Sequence, residues 1–118
     1  MNKFDELKRN RFIKKLRSNS IAIATNQIGI HSGYFKMHYL LGRINDIKVL
    51  ENIDLSIFET YYNEIQTHPI GDERKLYSKE FLDKLDLKLK RIDERYLDAL
   101  TEKCGEIIEK FKDIKDFC

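Results

Sequence analysis

Between residues 81 and 114 the apolar side chains recur with a step that only one kind of backbone satisfies. Phe81, Leu85, Leu89, Ile92, Tyr96, Leu100, Cys104, Ile107, Phe111 and Ile114 are separated by 4, 4, 3, 4, 4, 4, 3, 4 and 3 positions, 33 residues in nine steps. That average lies close to the 3.6-residue turn of an α-helix and far from the two-residue repeat of a strand. The spacing predicts one long helix over 78–115. Ser78 offers an N-cap oxygen, and Glu80 and Asp83 put negative charge in or near the first turn, where the helix dipole favours anions. Gly105 costs about 1 kcal/mol relative to alanine inside a helix, so a bend or a close helix contact is expected there.

Three further stripes precede it. In "LSIFETYYNEI", Ile57, Phe58, Tyr61 and Ile65 line one side of a short helix with Asp54 as its N-cap, and Pro69 and Gly71 in "THPIGDER" break it and turn the chain. Met37, Leu40, Leu41, Ile44 and Ile47 form another helical stripe starting near Ser32. Phe4, Leu7, Phe12, Ile13, Leu16 and Ile23 form the first. Gly29 is expected to end that first helix, which makes the polar stretch around it a corner between helices. No segment combines strand alternation with hairpin turn residues. Residues 1–118 therefore read as one all-α domain, an irregular up-and-down four-helix bundle with a long C-terminal helix.

Composition limits the class. Hydrophobic residues make up 42% and charged residues 36%, with a single proline, which supports a packed core and excludes a disordered chain. No stretch reaches the roughly 20 uncharged residues of a membrane span, and the first twenty residues hold no apolar run of a secretory signal. A cytoplasmic location is the expectation. Cys104 and Cys118 lack disulfide or zinc spacing and fit a reducing compartment; Cys104 is read as small core filler and Cys118 as an exposed thiol.

Charge is divided along the chain. Residues 1–50 carry ten Lys and Arg against Asp5, Glu6 and Asp46, a net +7; residues 51–118 carry twelve against seventeen acids, a net −5. In an antiparallel bundle the basic helix can lie beside the acidic one. The densest basic stretch, "KRNRFIKKLR", sets Lys8, Arg9, Arg11, Lys14, Lys15 and Arg17 around Phe12, Ile13 and Leu16. Such a helix docks on an acidic protein or neutralises phosphates, although no helix-turn-helix or zinc-finger frame accompanies it.

The second group of polar candidates sits at the corners: Gln27, His31, His38 and His68. His31 and His38, seven apart, would lie about 10 Å from each other on a helix, too far to share a metal, and no zinc motif is present. Ordinary corner residues are the reading, with no metal site. Glu102, Glu106, Glu109 and Asp113 recur at helical spacing and could present carboxylates to Mg²⁺ in a metal-assisted hydrolase. Lys103, Lys110 and Lys112 interleave with them, as on a solvated helix face. Nucleophile elbows, phosphate-binding glycine loops and dinucleotide fingerprints are absent, so neither a catalytic residue nor a cofactor is expected.

Gln27, Gly33 followed by Lys36 and an apolar helix, Phe58, then Thr67, His68, Pro69 and Ile70 leading into a long helix with Tyr96 resemble a bacterial family catalogued only as a domain of unknown function. The resemblance covers about 21–100. Members with that pattern often carry a membrane-anchoring segment before the domain and a cysteine just after the glycine; here the N-terminus is basic and Tyr34 stands in the cysteine's place. The resemblance implies a helical domain and no activity. Taken together, the residues lead to a non-enzymatic helical module that binds a protein partner, in the manner of immunity proteins, antitoxins and other stoichiometric inhibitors. The alternative is nucleic-acid binding through the basic helix.

Overall fold

The computed structural model describes residues 1–69 and 71–114. Its regular elements are α1 (Lys3–Ala24), α2 (Ile30–Ile47), α3 (Ser56–Ile65), a 3-10 helix over Gly71–Leu76 and α4 (Lys79–Lys110), with no strand among the described residues. α1 packs on α2 and α4, and α3 on α2 and α4, which closes a four-cornered ring. Arg9, near the start of α1, donates to the carbonyls of Lys48 and Val49 just beyond the end of α2, so those two helices run antiparallel. Arg17 reaches the Ile108 carbonyl close to the end of α4, and Tyr61 meets Asp93 and Tyr96. The result is an up-and-down four-helix bundle, in which short connections force neighbours to alternate in direction.

The core sits where the four stripes meet. Ile13 and Leu16 of α1, Met37, Leu40 and Ile44 of α2, Phe58, Tyr61 and Ile65 of α3, and Leu100, Cys104 and Ile107 of α4 are all buried. Each fully buried side chain of this size contributes about 1.5–3 kcal/mol through removal from water. Cys104 fills the core as its position in the stripe requires. Cys118 and Ile70 lie outside the described residues.

α4 departs from its stripe at the front. Phe81 is exposed and Leu85 only half-buried, and Leu89 is the first fully buried residue. A 32-residue helix is about 48 Å long, close to the molecule's 53 Å long axis. α1 to α3 are shorter and leave its first ten residues beyond their end. There the 3-10 helix braces it through the two-pronged Arg74–Asp86 pair at 2.8 Å, and Tyr77 stacks on Phe81. Phe4, also placed in a core stripe by spacing, projects into solvent at the free end of α1.

The boundaries of the first corner differ from the expected ones. α1 stops at Ala24 because the Thr25 hydroxyl and amide both fold back onto the Ile21 carbonyl, and Asn26 takes a left-handed conformation, φ 59°. Asparagine tolerates that conformation best after glycine, so Asn26, not Gly29, ends the helix. Gly29 is instead the N-cap of α2, which starts at Ile30 rather than Ser32. Ser78 caps α4 by accepting from the Phe81 amide. Asp54 acts one residue earlier than expected: Leu55 is the cap of α3, and Asp54 accepts from the Ser56 amide and hydroxyl.

Gly33 marks a close crossing of α1 and α2. A Cβ there would lie 2.5 Å from Ile23 Cγ1, so α1 and α2 approach closely only because the position is glycine. Asn19 Nδ2 donates to the Gly33 carbonyl at 2.9 Å across the same gap. At Gly105 a Cβ would meet nothing within 4 Å; the close contact expected there belongs to Gly33.

Candidate functional site

The six basic residues of the first helix divide by the side of α1 they occupy. Arg9 and Arg17 are internal braces: Arg9 Nε is 2.9 Å from the Lys48 carbonyl and Arg17 Nε 2.8 Å from that of Ile108, each satisfying an acceptor near a helix C-terminus. Lys15 lies over the Phe12 ring at 5.7 Å, with the Arg43 guanidinium of α2 over the same ring at 5.6 Å. Lys14 is exposed and engaged in an interaction of its own.

Lys8 and Arg11 point outward without a carboxylate partner among the described residues. Phe4, Lys8, Arg11 and Lys15 are spaced 4, 3 and 4 and so share one face of α1, away from the face of Ile13, Leu16, Ser20 and Ile23 that enters the core. Phe4, Leu7, Lys8 and Arg11 enclose a small hollow of about 240 Å³, and Phe4 is 74% exposed. The acidic half of the chain does not cover this face. α4 meets α1 through the core face and through Arg17, which also helps hold the Glu109 carboxyl below its ordinary range, after the larger effect of Lys112.

The polar corner residues separate. His31, in the first turn of α2, donates from Nε2 to Asp93 Oδ2 at 2.9 Å, and the Tyr61 hydroxyl donates to Asp93 Oδ1 at 2.5 Å. One carboxylate of α4 thus ties down α2 and α3 together. Burial first, and then the bond to Asp93, push the Tyr61 phenol far above the ordinary tyrosine range. Tyr34 stacks edge-on against Tyr61, and its hydroxyl faces Cys104 Sγ at 4.0 Å. Burial, reinforced by Cys104, raises the Tyr34 phenol in the same way.

His38 is two turns further along, its ring stacked parallel on that of Tyr62 with centroids 3.6 Å apart. His68 lies within the electrostatic reach of Asp86, as His31 does, and its Nδ1 is buried without a hydrogen-bond partner among the described residues. Gln27 is exposed on the corner. No group of three His, Cys, Asp or Glu among the described residues is arranged to hold a metal ion.

Two of the four carboxylates in the row along α4 form ion pairs. Glu106 meets Lys103 and Glu109 meets Lys112, each at 2.9 Å and three residues apart, the arrangement of a solvated helix face. Asp93 was the informative residue that periodicity alone passes over. It shares a helix face with Leu89, Tyr96 and Leu100, and a carboxylate on a core face requires buried donors. His31 and Tyr61 are those donors. Their arrangement is a clamp between helices, and two hollows open two turns along α2 around His38 and Gly42.

Fold and surface define an all-α bundle with a polar three-helix clamp inside it and a basic, partly apolar face outside. Within that class the chain belongs to the family described as "Protein of unknown function (DUF2489)", whose model matches residues 2–107. No curated protein and no solved structure matches it. The family residues picked out in the sequence fall largely on structural duties: Gly33 permits the helix crossing, Phe58 and Pro69 are buried, and Tyr96 packs beside Tyr61. No helix among the described residues is long and apolar enough to cross a membrane.

Proposed function

We propose that the chain is a non-enzymatic helical binding module that docks an acidic polypeptide on the outer face of α1, as a stoichiometric inhibitor or adaptor would. The observation that carries this is Phe4, 74% exposed, set among Leu7, Lys8 and Arg11 around a small hollow. An aromatic anchor inside a cationic rim is the arrangement in which protein interfaces concentrate their binding energy. Lys8, Arg11 and Lys15 supply charge that speeds encounter with an acidic surface and fixes its orientation. Arg9 and Arg17 are committed to the fold and are not part of the docking face.

Nucleic acid is the alternative, supported by the same row of cations. One feature weighs against it: Lys8, Arg11 and Lys15 are three cations on one helix face, a short electrostatic footprint. The test is affinity isolation from host extract with the full chain, after nuclease digestion and at about 150 mM salt, where surface charges are screened beyond about 8 Å. The wild type is expected to retain one acidic protein near 1:1, and a Phe4→Ala, Lys8→Glu, Arg11→Glu variant of unchanged helicity to release it. Retention that survives the triple change, or that nuclease removes, overturns the proposal.

A further inference from the structure

A second site lies away from α1, in the groove between α2, the 48–55 segment and the start of α3. We propose that this groove binds a small organic cation, an ammonium or amidinium carried on a compact hydrocarbon body. Its volume, about 400 Å³, falls toward the small end of the range for ligand cavities. Leu41, Leu50, Ile53 and Leu55 give it apolar walls, and Asp54 and Glu59 are the charged residues of its lining. In a chain with 22 Lys and Arg, this lining contains none. Lys48, on the same segment, turns to Glu51 at 3.2 Å, and Lys103, whose field reaches Asp54, pairs with Glu106.

Two further features point to a space kept open. Gly42 occupies the interior of α2, where glycine is unfavourable relative to alanine, yet a Cβ there would meet no atom within 4 Å. Packing does not demand the glycine, and any larger side chain would enter the groove it lines. The segment opposite is shaped in advance of any ligand. Asn52 adopts a left-handed turn, φ 62°, and Asp54 is fixed by accepting from Ser56, bonds that also hold its carboxyl below the usual range and therefore ionised. A preformed groove spends little binding energy on ordering itself. Its two carboxylates select the sign of the guest: an anion would face both with no Lys or Arg of the lining to receive it, His38 being stacked on Tyr62, whereas a cation replaces water beside them.

The proposal is tested by titrating the isotopically labelled full chain with 2-phenylethylamine, its neutral isostere 2-phenylethanol and the anion 3-phenylpropanoate, following backbone amides by NMR. The amine is expected to shift Gly42, Asn45, Ile53 and Glu59 saturably with a Kd near or below about 10 mM, the scale open to so few heavy atoms. The alcohol should bind several-fold more weakly and the anion not at all. Glu59→Gln should weaken the amine by about threefold, as befits one exposed carboxylate, and leave the alcohol unchanged. Gly42→Leu should fill the groove and abolish amine binding while helicity is kept. Equal shifts from amine and anion, shifts centred elsewhere, or no saturable shift below about 10 mM would overturn the proposal. So would tighter binding of a capped lysine peptide unit than of the free amine, which would make the occupant a polypeptide.

Discussion

Replacing Gly33 by alanine is the sharpest probe of the helix crossing. The added Cβ would stand 2.5 Å from Ile23 Cγ1, 2.9 Å from Ile23 Cδ1 and 3.4 Å from Ile28 Cγ2, and contacts under 3.0 Å require movement. Ile23 is 8% exposed and has little room to swing aside. Separation of the helices would stretch the bond from Asn19 to the Gly33 carbonyl. Overpacking of this kind costs about 1–3 kcal/mol, and weakening a buried hydrogen bond adds about 1 kcal/mol. Alanine's better helix propensity returns about 1 kcal/mol. The net expectation is a loss of about 1–3 kcal/mol in urea unfolding followed by circular dichroism. Gly42→Ala, at an open position of the same helix, should gain up to about 1 kcal/mol. Ile23→Ala placed in the Gly33→Ala background should show a coupling of at least about 1 kcal/mol in a double-mutant cycle. A Gly33→Ala variant as stable as the wild type and uncoupled from Ile23 would refute close packing of α1 on α2 at this position.

Arg17→Met should destabilise the bundle by about 1 kcal/mol, because the Ile108 carbonyl loses a half-buried donor, whereas Arg11→Met should stay within about 0.5 kcal/mol; urea unfolding of the two variants checks the division between brace and docking face. Tyr34 and Tyr61 hold their protons in the folded state beyond the pH, about 10, at which unfolded tyrosine ionises. The folded state therefore keeps its full advantage below about pH 10 and loses it progressively as pH rises above that value. Absorbance at 295 nm should show two of the six tyrosines ionising only as helicity is lost, and six ionising near pH 10 in an intact bundle would contradict the burial. Burial also raises the Cys104 thiol, so in a Cys118→Ser chain a thiol reagent should react many times more slowly than in urea, and rapid reaction of the folded protein would refute its place in the core.

The parts of the fold legible in the sequence were those governed by local periodicity. The stripe from Leu89 to Ile107 gave both the long helix and its buried face, and Ser78 marked its start, because spacing and capping act within a few residues. Periodicity says which side of a helix is apolar but not how far its neighbours extend, and so Phe81 and Phe4 were placed in a core that ends before reaching them. Asn26 ends the first helix in place of Gly29 because either residue can take a left-handed turn, and tertiary packing of the corner decides between them. The candidate site was harder still. Lys8 and Arg9 are adjacent and chemically alike, and only the position of α2's end makes one a brace and the other free to bind. The clamp on Asp93 unites residues 32 and 62 positions apart, a pairing that no local pattern encodes.

Photo-crosslinking from the α1 face in the native host tests the docking claim most directly. A photoreactive amino acid in place of Arg11, beside Phe4 and Lys8, is compared with the same group in place of Thr101, exposed on α4. One discrete adduct is expected from position 11, resistant to nuclease, sensitive to protease, containing an acidic protein, and absent both from position 101 and from a chain that also carries Phe4→Ala and Lys8→Glu. A nuclease-sensitive adduct from position 11, or the same adduct from both positions, would contradict the docking claim.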